Sequence, residues 1–452
     1  MTMREIVALV DEGLGNSSYL VDLGDGSAMV VDPARQAGPY LAEAERRGLR
    51  VTTAVETHLH ADFVSGSREL AARGCRVVAA RAAGLEHPNR GLMGGERLDV
   101  GGLTLEALAT PGHTPEHLAY LLRDGPIPVA LFSGGSLLVG AVARTDLTAP
   151  EQTEALARSL YRSIREQLLS LPDDLAVYPT HGAGSFCSVA PGGARVTTIG
   201  RERASNPLLA AGDEDTFVAR LLAGFGTYPP YFLELRGVNR RGPHVYGVWP
   251  VLNPLEPTIV SDLIGNGEAV VVVDARPADA FAAGHIPGSV SIPLRPQFAS
   301  WLGWLVRRDQ TVVLVLDDGQ DRAEVVRQCL AIGYERLAGE LAGGILAWWA
   351  ASLPVATVPL VTAQGAVGTL VDVRQSNEFA AGHVPGALNV ELGATAEQAA
   401  TLPSGPLTVM CGHGERAMSA ASILAARGRT DLAVLVGGPG DVVAARHQHL
   451  VG

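Results

Sequence analysis

One cysteine of this chain lies in a setting that favours nucleophilic chemistry. The stretch VMCGHGERAMSAASILAARG (409–428) predicts a short strand that delivers Cys411 into a tight loop, followed by an alanine-rich helix that begins near Arg416. Backbone N–H groups of such a loop can cradle an anion, and a helix N-terminus and an arginine both favour negative charge on sulfur. The pattern therefore indicates a cysteine nucleophile with an anion-binding loop. The loop residues are Gly412, His413, Gly414 and Glu415.

A second group of residues has the chemistry of a metal site. Histidines recur in THLHAD (57–62), TPGHT (110–114) and YPTHG (178–182), each at or after the end of a predicted strand. Loops at strand ends converge on a two-sheet scaffold, where neutral imidazole suits zinc or iron and a carboxylate adds negative charge. The candidate ligands are His58, His60, Asp62, His113 and His181.

The elements that position Cys411 occur twice. VVVVDARPADAFAAGHIPGSVSIPL (270–294) is similar to LVDVRQSNEFAAGHVPGALNV (370–390), and in both the strand-end Asp precedes the turn histidine by eleven positions. A second apolar strand, a polar loop and a helix follow in each copy. Strands that alternate with helices predict a parallel sheet in each copy.

The region before these repeats has another organisation. Short β-branched strands, glycine-rich turns and intervening helices predict an α/β unit with two sheets. The stretch 228–243 is rich in Pro, Gly and Arg and is interpreted as a linker, and a second boundary is placed near 353–360. The predicted domains are 1–245, 255–355 and 360–452.

Composition excludes several classes of protein. The 452 residues are 47% hydrophobic and 18% charged, as expected of folded globular domains, and the length predicts two to four of them. A net charge of -12 argues against nucleic acid and anionic membranes as partners. No uncharged apolar run approaches the roughly 18 residues of a membrane span. MTMREIVALVDEG is interpreted as a first strand rather than a signal peptide, so a cytoplasmic location is expected.

The repeats and the Cys411 loop resemble the rhodanese family of sulfurtransferases. The resemblance implies that Cys411 accepts a sulfane sulfur as a persulfide and passes it to a thiol, with the family's CxxxxR loop ending at Arg416. Alignment of the copies places Asp317 on Cys411 and Arg322 on Arg416. Because a carboxylate cannot carry a persulfide, the central copy is predicted to be inactive, with positioning of the active copy as one role for it.

The N-terminal region resembles the metallo-β-lactamase fold, and most closely the persulfide dioxygenases, a mononuclear iron branch that is also similar to glyoxalase II. THLHADFVSGSRELA, TPGHTPEH, LFSGGSLLVGAVARTDL and YPTHGAGSFC carry the resemblance. It implies an αββα sandwich with iron held by His58, His113 and the aspartate of an LF(T/S)GD segment. In this chain Gly135 replaces that aspartate, and Phe63 replaces the last histidine of HxHxDH.

These departures leave the cofactor open between Fe(2+), Zn(2+) and no metal. A facial site of two histidines and one carboxylate suits iron, whereas three histidines, with His60 beside His58 and His113, suit zinc. Phe63 argues against a second metal ion. Cys187, in GSFCS, is interpreted either as core packing or as lining of the site.

The whole architecture resembles the persulfide dioxygenase–rhodanese fusions. The predicted function is sulfur transfer through a Cys411 persulfide in sulfide metabolism, beside an N-terminal iron site that is degenerate. Three alternatives stay open: a fully bifunctional enzyme, a non-catalytic sulfur carrier or scaffold, and a glyoxalase II-type metallohydrolase. The expected partners are a low-molecular-weight thiol or its persulfide, such as glutathione persulfide, and thiosulfate or sulfite. A homodimer is compatible with the sequence.

Overall fold

The chain divides into two compact units in a computed structural model that describes residues 5–187, 193–265, 267 and 269–452. The first unit is Met1–Trp249 with Leu330–Gly333, and the second is Pro250–Cys329 with Tyr334–Gly452. In the described part of the chain, no helix has the length and apolar character that crossing a membrane requires.

Two six-stranded sheets form the centre of the first unit. The strands of the first sheet, in spatial order, are β1 (Ile6–Asp11), β2 (Asn16–Asp22), β3 (Ser27–Val31), β4 (Arg50–Val55), β5 (Arg76–Ala80) and β6 (Arg90–Leu92). Those of the second are β7 (Arg97–Val100), β8 (Leu103–Ala109), β9 (Leu118–Asp124), β10 (Ile127–Gly134), β11 (Ala176–Pro179) and β12 (Thr197–Thr198). Alternate residues of β8 are buried, and Leu105 joins Tyr19 and Phe132 in a core between the sheets.

Helices cover the outer faces of both sheets. They are α1 (Gly38–Arg46), α2 (Ser67–Ala71), α3 (Thr153–Arg162), α4 (Ile199–Ser205), α5 (Glu214–Ala223) and α6 (Phe232–Arg241). Leu160 of α3 and Phe217 of α5 pack on Leu131 of β10, while Tyr40 of α1 packs on Val30 of β3. This arrangement is the αββα sandwich that the family resemblance implies.

The interpretation of residues 228–243 as a linker is wrong, because this stretch contains α6. Leu235 of α6 is fully buried, and the Asn239 side chain donates to the carbonyl oxygens of His60 and Phe63, both at 2.9 Å. The polar character that resembled a linker instead provides hydrogen-bond donors for backbone carbonyl groups of the first histidine segment.

Two five-stranded parallel sheets with the same strand order form the second unit. The first sheet contains β13 (Pro254–Leu255), β14 (Val270–Asp274), β15 (Val290–Ser291), β16 (Thr311–Val315) and β17 (Leu337–Leu341), in the order β13-β17-β16-β14-β15. The second contains β18 (Leu360–Val361), β19 (Thr369–Asp372), β20 (Leu388–Asn389), β21 (Leu407–Met410) and β22 (Leu432–Leu435), in the order β18-β22-β21-β19-β20. Parallel pairing throughout both sheets confirms the prediction from the repeat.

Nine α-helices are described in the second unit. They are α7 (Pro257–Gly265), α8 (Ala278–Ala283), α9 (Phe298–Leu305), α10 (Arg322–Ala331), α11 (Gly344–Ala350), α12 (Ser376–Ala380), α13 (Thr395–Gln398), α14 (Glu415–Ala426) and α15 (Pro439–Ala445). The helix expected near Arg416 is α14. Cys329 is buried within α10.

Candidate functional site

Cys411 lies immediately after β21, at the start of the loop that leads into α14. The cysteine is only 2% exposed, and the backbone N–H of Gly414 donates to its Sγ at 3.1 Å. Gly414 has φ +96°, a left-handed conformation that glycine adopts without strain, and it directly precedes the helix. The loop therefore turns an N–H group toward the sulfur, as an anionic thiolate or persulfide requires.

Arg416 lies beside this loop but is paired with an acid. Its Nη1 and Nη2 donate to the two carboxylate oxygens of Glu378, at 2.6 and 2.9 Å. The Arg416 guanidinium holds the pKa of Glu378 below its usual range. Much of the positive charge near Cys411 is therefore already neutralised.

The central copy contributes side chains to the same neighbourhood. The Arg416 guanidinium lies 5.8 Å from the ring centre of Trp301 of α9, within the range of a cation–π contact. Glu415 forms an ion pair with Arg295, and the Ser419 hydroxyl donates to the Ser291 carbonyl at 2.6 Å. Both copies therefore shape the surroundings of Cys411, while His413 is exposed.

The corresponding loop of the central copy presents carbonyl oxygens, where the loop at Cys411 presents an N–H group. Asp317 is exposed, and Arg322 donates through Nη1 to the carbonyl oxygens of Asp317, Asp318 and Gln320 at 2.7, 3.1 and 2.7 Å. Arg322 also pairs with Glu340 at 3.0 Å. This loop presents carbonyl groups to an arginine.

The histidines of the three N-terminal segments meet in one buried cluster. Ring centres of His58 and His113 are 4.7 Å apart, those of His58 and His181 are 5.3 Å apart, and those of His113 and His181 are 5.2 Å apart. All three residues are at most 3% exposed. The structure thus brings together residues that sequence placed in three separate strand-end loops.

Hydrogen bonds define which nitrogen of each ring is free. The Thr57 hydroxyl donates to Asp32 at 2.8 Å, so its oxygen accepts from His58 Nδ1, also at 2.8 Å. His113 Nδ1 lies 2.7 Å from the Arg144 carbonyl, a partner that can only accept. The proton of each ring is therefore on Nδ1, and each Nε2 has a free lone pair.

His181 also has its Nδ1 beside oxygen acceptors. Its Nδ1 lies 3.0 Å from Asn16 Oδ1 and 3.2 Å from Asp62 Oδ2, and its Nε2 lies 3.3 Å from His58 Nε2. Two lone pairs at this distance repel each other unless a cation lies between them. Burial, followed by the neighbouring imidazoles, holds the pKa of His58 well below its usual range.

His60 has a different role from the other histidines. Its Nε2 lies 3.3 Å from Asp32 Oδ1 and 3.2 Å from Glu56 Oε2. Burial alone lowers the pKa of His60, but the two carboxylates outweigh it and raise the pKa to about 10. The Phe63 ring stacks on the imidazole with centres 4.2 Å apart. Although a His60 nitrogen lies within 4.8 Å of ligand atoms of His58 and His181, the imidazolium is a poor ligand.

The surroundings of Gly135 have no room for the aspartate side chain that the family has at this position. A Cβ atom added there would lie 2.4 Å from Cδ2 of His113, so the imidazole fills the space of the absent side chain. The Gly135 N–H donates to His117 Nε2 at 3.0 Å. The residues present therefore do not fit a site of two histidines and one carboxylate at His58, His113 and position 135.

Cys187 lies beside the histidine cluster rather than in a separate core. It is fully buried, and its Sγ lies within 4.8 Å of ligand nitrogens of His113 and His181. Burial raises the pKa of the Cys187 thiol well above its usual range. Of the two interpretations left open by the sequence, lining of the site is the one the structure supports.

Sequence reasoning missed Asp32, Glu56 and His117. Asp32 accepts from the Thr57 N–H at 2.7 Å and holds His60, while His117 orients the backbone at Gly135. An aspartate directly after the apolar strand β3 was the available signal for Asp32. His117 lies four positions after His113 in TPGHTPEH, where only the first histidine was singled out.

Comparison with protein families identifies both parts of the chain. Residues 11–181 match the model of the metallo-beta-lactamase superfamily. Residues 256–351 and 360–444 each match the rhodanese-like domain.

Curated relatives match part of the chain. The mitochondrial persulfide dioxygenase ETHE1 of Homo sapiens is 32% identical over 202 residues, which are 44% of this chain and 73% of that protein. A hydroxyacylglutathione hydrolase of Methylococcus capsulatus is 35% identical over 208 residues, which are 42% of this chain and 76% of that protein.

One solved structure extends over more of the chain. A crystal structure of a metallo-beta-lactamase from Staphylococcus aureus subsp. aureus COL has 29% sequence identity and a TM-score of 0.66, and the match covers 75% of this chain and 99% of that one. The fold therefore implies metal binding at the histidine cluster, and the rhodanese-like domains support a role in sulfur metabolism.

Proposed function

Because the chain belongs to the family that joins a persulfide dioxygenase-like metallo-β-lactamase domain to two rhodanese-like domains, we propose that it transfers sulfane sulfur through a persulfide on Cys411. The observation that carries the proposal is the N–H of Gly414 directed at the buried Sγ. We place the catalytic unit in 360–452, the inactive copy in 255–355 and the metal-binding fold in 1–245.

The reaction divides into two displacements at sulfur. The Cys411 thiolate attacks the outer sulfur of the donor; a new S–S bond forms, and the donor leaves as a thiolate, or as sulfite when the donor is thiosulfate. An acceptor thiolate then attacks the outer sulfur of the Cys411 persulfide and regenerates the enzyme thiolate. The N–H of Gly414 and the start of α14 stabilise the negative sulfur in both steps. Gly412, His413 and Glu415 complete the loop.

The charges around the loop favour a low-molecular-weight persulfide, such as glutathione persulfide, over thiosulfate as the donor. Arg416 is neutralised by Glu378, and Glu415 adds a further acid, although Arg295 pairs with it. Thiosulfate has two negative charges to accommodate, whereas a thiol persulfide has one at the reacting end. Both remain substrates of the proposed reaction, with the persulfide preferred.

A glyoxalase II-type hydrolase is the second candidate, because hydroxyacylglutathione hydrolases are among the relatives of the first unit. Phe63 and Gly135 both count against it, since that activity normally uses two metal ions. We therefore propose that the first unit has lost the ligand set for iron-dependent dioxygenation and that Cys411 is the centre of turnover.

The test is steady-state sulfur transfer from glutathione persulfide to a second thiol by the full chain. Cys411→Ser is expected to lower turnover at least about 1,000-fold, because the nucleophile is removed. Cys329→Ala, which alters a cysteine buried in α10, is the matched control and is expected to retain turnover.

The same assay separates an enzyme from a sulfur carrier. An enzyme transfers many sulfur atoms per chain, whereas a carrier loads one and stops. Turnover that survives in Cys411→Ser, or a native protein that stops after one equivalent, would overturn the proposal.

A further inference from the structure

The histidine cluster and Cys187 together point to a metal site other than the one the family resemblance implies. We infer that His113, His181 and Cys187 form a thiolate-containing site for a zinc ion, in place of an iron site of two histidines and one carboxylate. The inference concerns the first unit and does not depend on the sulfur-transfer activity proposed for Cys411.

The three donor atoms are placed for a common ligand. The Sγ of Cys187 and one ring nitrogen each of His113 and His181 lie within 4.8 Å of one another, and all three residues are at most 1% exposed. Both histidines have Nδ1 against an acceptor, so their Nε2 lone pairs are free for a cation. His58 Nε2, 3.3 Å from His181 Nε2, is within reach as a fourth ligand.

Arg144 connects the cysteine to one of the histidines. Its carbonyl oxygen accepts from His113 Nδ1 at 2.7 Å, and its N–H donates to the Cys187 carbonyl at 2.9 Å. The Arg144 side chain is itself fixed by Asp146, at 2.6 and 2.7 Å. Such outer contacts orient metal ligands in proteins, and here one residue orients two of them.

Asp62 places negative charge beside these ligands. The residue is 2% exposed, and one of its carboxylate oxygens lies 3.2 Å from His181 Nδ1. A buried carboxylate is costly unless positive charge is near. A Zn²⁺ ion with the Cys187 thiolate leaves one positive charge, which Asp62 balances.

The types of ligand atom present favour zinc over iron. Thiolate with imidazole suits tetrahedral zinc, whereas the iron oxygenase geometry uses a carboxylate. Gly135 cannot supply that carboxylate, and the imidazole of His113 occupies its space. On binding, the Sγ–H bond of Cys187 is replaced by an Sγ–Zn bond and the proton leaves to water, with no change in oxidation state.

The experiment uses cobalt(II) as a spectroscopic substitute for zinc in the full chain carrying Cys411→Ser, after removal of metal by a chelator. One equivalent of Co²⁺ is expected to produce a thiolate-to-cobalt charge-transfer band in the near ultraviolet, and Zn²⁺ is expected to abolish it. Cys187→Ser in the same background should lose the band and bind Co²⁺ at least about tenfold more weakly. Cys75→Ser, at a buried cysteine elsewhere in the same unit, should keep the band.

Three outcomes would overturn the inference: no binding of Co²⁺, binding without a thiolate band, or a band that survives in Cys187→Ser. X-ray absorption of the zinc-loaded native sequence keeps the test valid if Cys187→Ser fails to fold. A sulfur scatterer at about 2.3 Å from zinc supports the site, and a shell of nitrogen and oxygen alone refutes it.

Discussion

In each of the two rhodanese-like copies, an arginine two positions after the strand-end aspartate returns to pair with it. Arg276 and Asp274 are 2.6 Å apart, and Arg374 and Asp372 are 2.7 Å apart. The turn histidine of each copy stacks on a phenylalanine four positions earlier, with ring centres 3.8 and 3.7 Å apart. These contacts give Asp372 and His383 structural roles.

The copies diverge at one loop. In one, an N–H group is directed at the Cys411 sulfur; in the other, three carbonyl oxygens are directed at Arg322. The same strand order and the same buried ion pair therefore support opposite local electrostatics. The difference teaches that the backbone direction of the loop, and not the sheet, determines whether an anionic sulfur is stabilised.

The largest effects on stability are expected from the buried Asp–Arg pair that both copies share. Asp274→Asn and Asp372→Asn each leave a buried arginine without its carboxylate, at a cost of about 3–5 kcal/mol. The loss should be greater for Asp274, because Arg276 is 4% exposed and Arg374 is 12% exposed. Urea denaturation measures both midpoints. The exposed Asp309→Asn, which also loses an arginine partner two residues away, should leave the midpoint unchanged, and equal midpoints in all three variants would refute the shared scaffold role.

A smaller effect is expected where the two copies differ. Glu378→Gln frees the Arg416 guanidinium, so the KM for thiosulfate should fall roughly two- to fivefold, since a partly exposed pair of this kind is worth at most about 1 kcal/mol. Glu340→Gln removes the equivalent partner of Arg322 and should leave the KM unchanged. A fall in KM in both variants would show that net charge, rather than the pairing of Arg416, sets thiosulfate binding.

The smallest effect is expected from placing a cysteine in the loop of the central copy. Asp317→Cys, introduced together with Cys411→Ser, should give no sulfur transfer, because the loop's carbonyl groups remain held by Arg322. The rate is measured with glutathione persulfide against Cys411→Ser alone. A measurable gain would mean that the residue type at position 317, and not the direction of the loop, determines whether this copy can transfer sulfur.

The sequence was most informative where a function depends on adjacent residues. Strand, loop glycines and helix around Cys411 are contiguous, so local pattern predicted their arrangement. The three histidine segments were found in the same way, because each follows a strand. The αββα sandwich and the parallel sheets of the repeats also followed from strand and helix order.

What the sequence could not provide depends on contacts between distant segments. The carboxylates that raise the pKa of His60 come from Glu56 nearby and from Asp32 at the end of another strand. The imidazole that fills the space at Gly135 belongs to His113. Neither fact has a local signature, and both change which residues are available to a metal.

The contacts of α6 have a consequence for the order of assembly. Asn239 holds the carbonyl oxygen of His60 across 179 positions of the chain, and the Tyr231 hydroxyl donates to the Asp62 carbonyl across 169. A nascent chain that has emerged only as far as His181 possesses every histidine of the cluster. It lacks the hydrogen bonds that Tyr231 and Asn239 donate to the first histidine segment. The geometry of the cluster is therefore completed only once α6 has been synthesised, and a fragment intended to carry the histidine cluster must continue beyond Asn239.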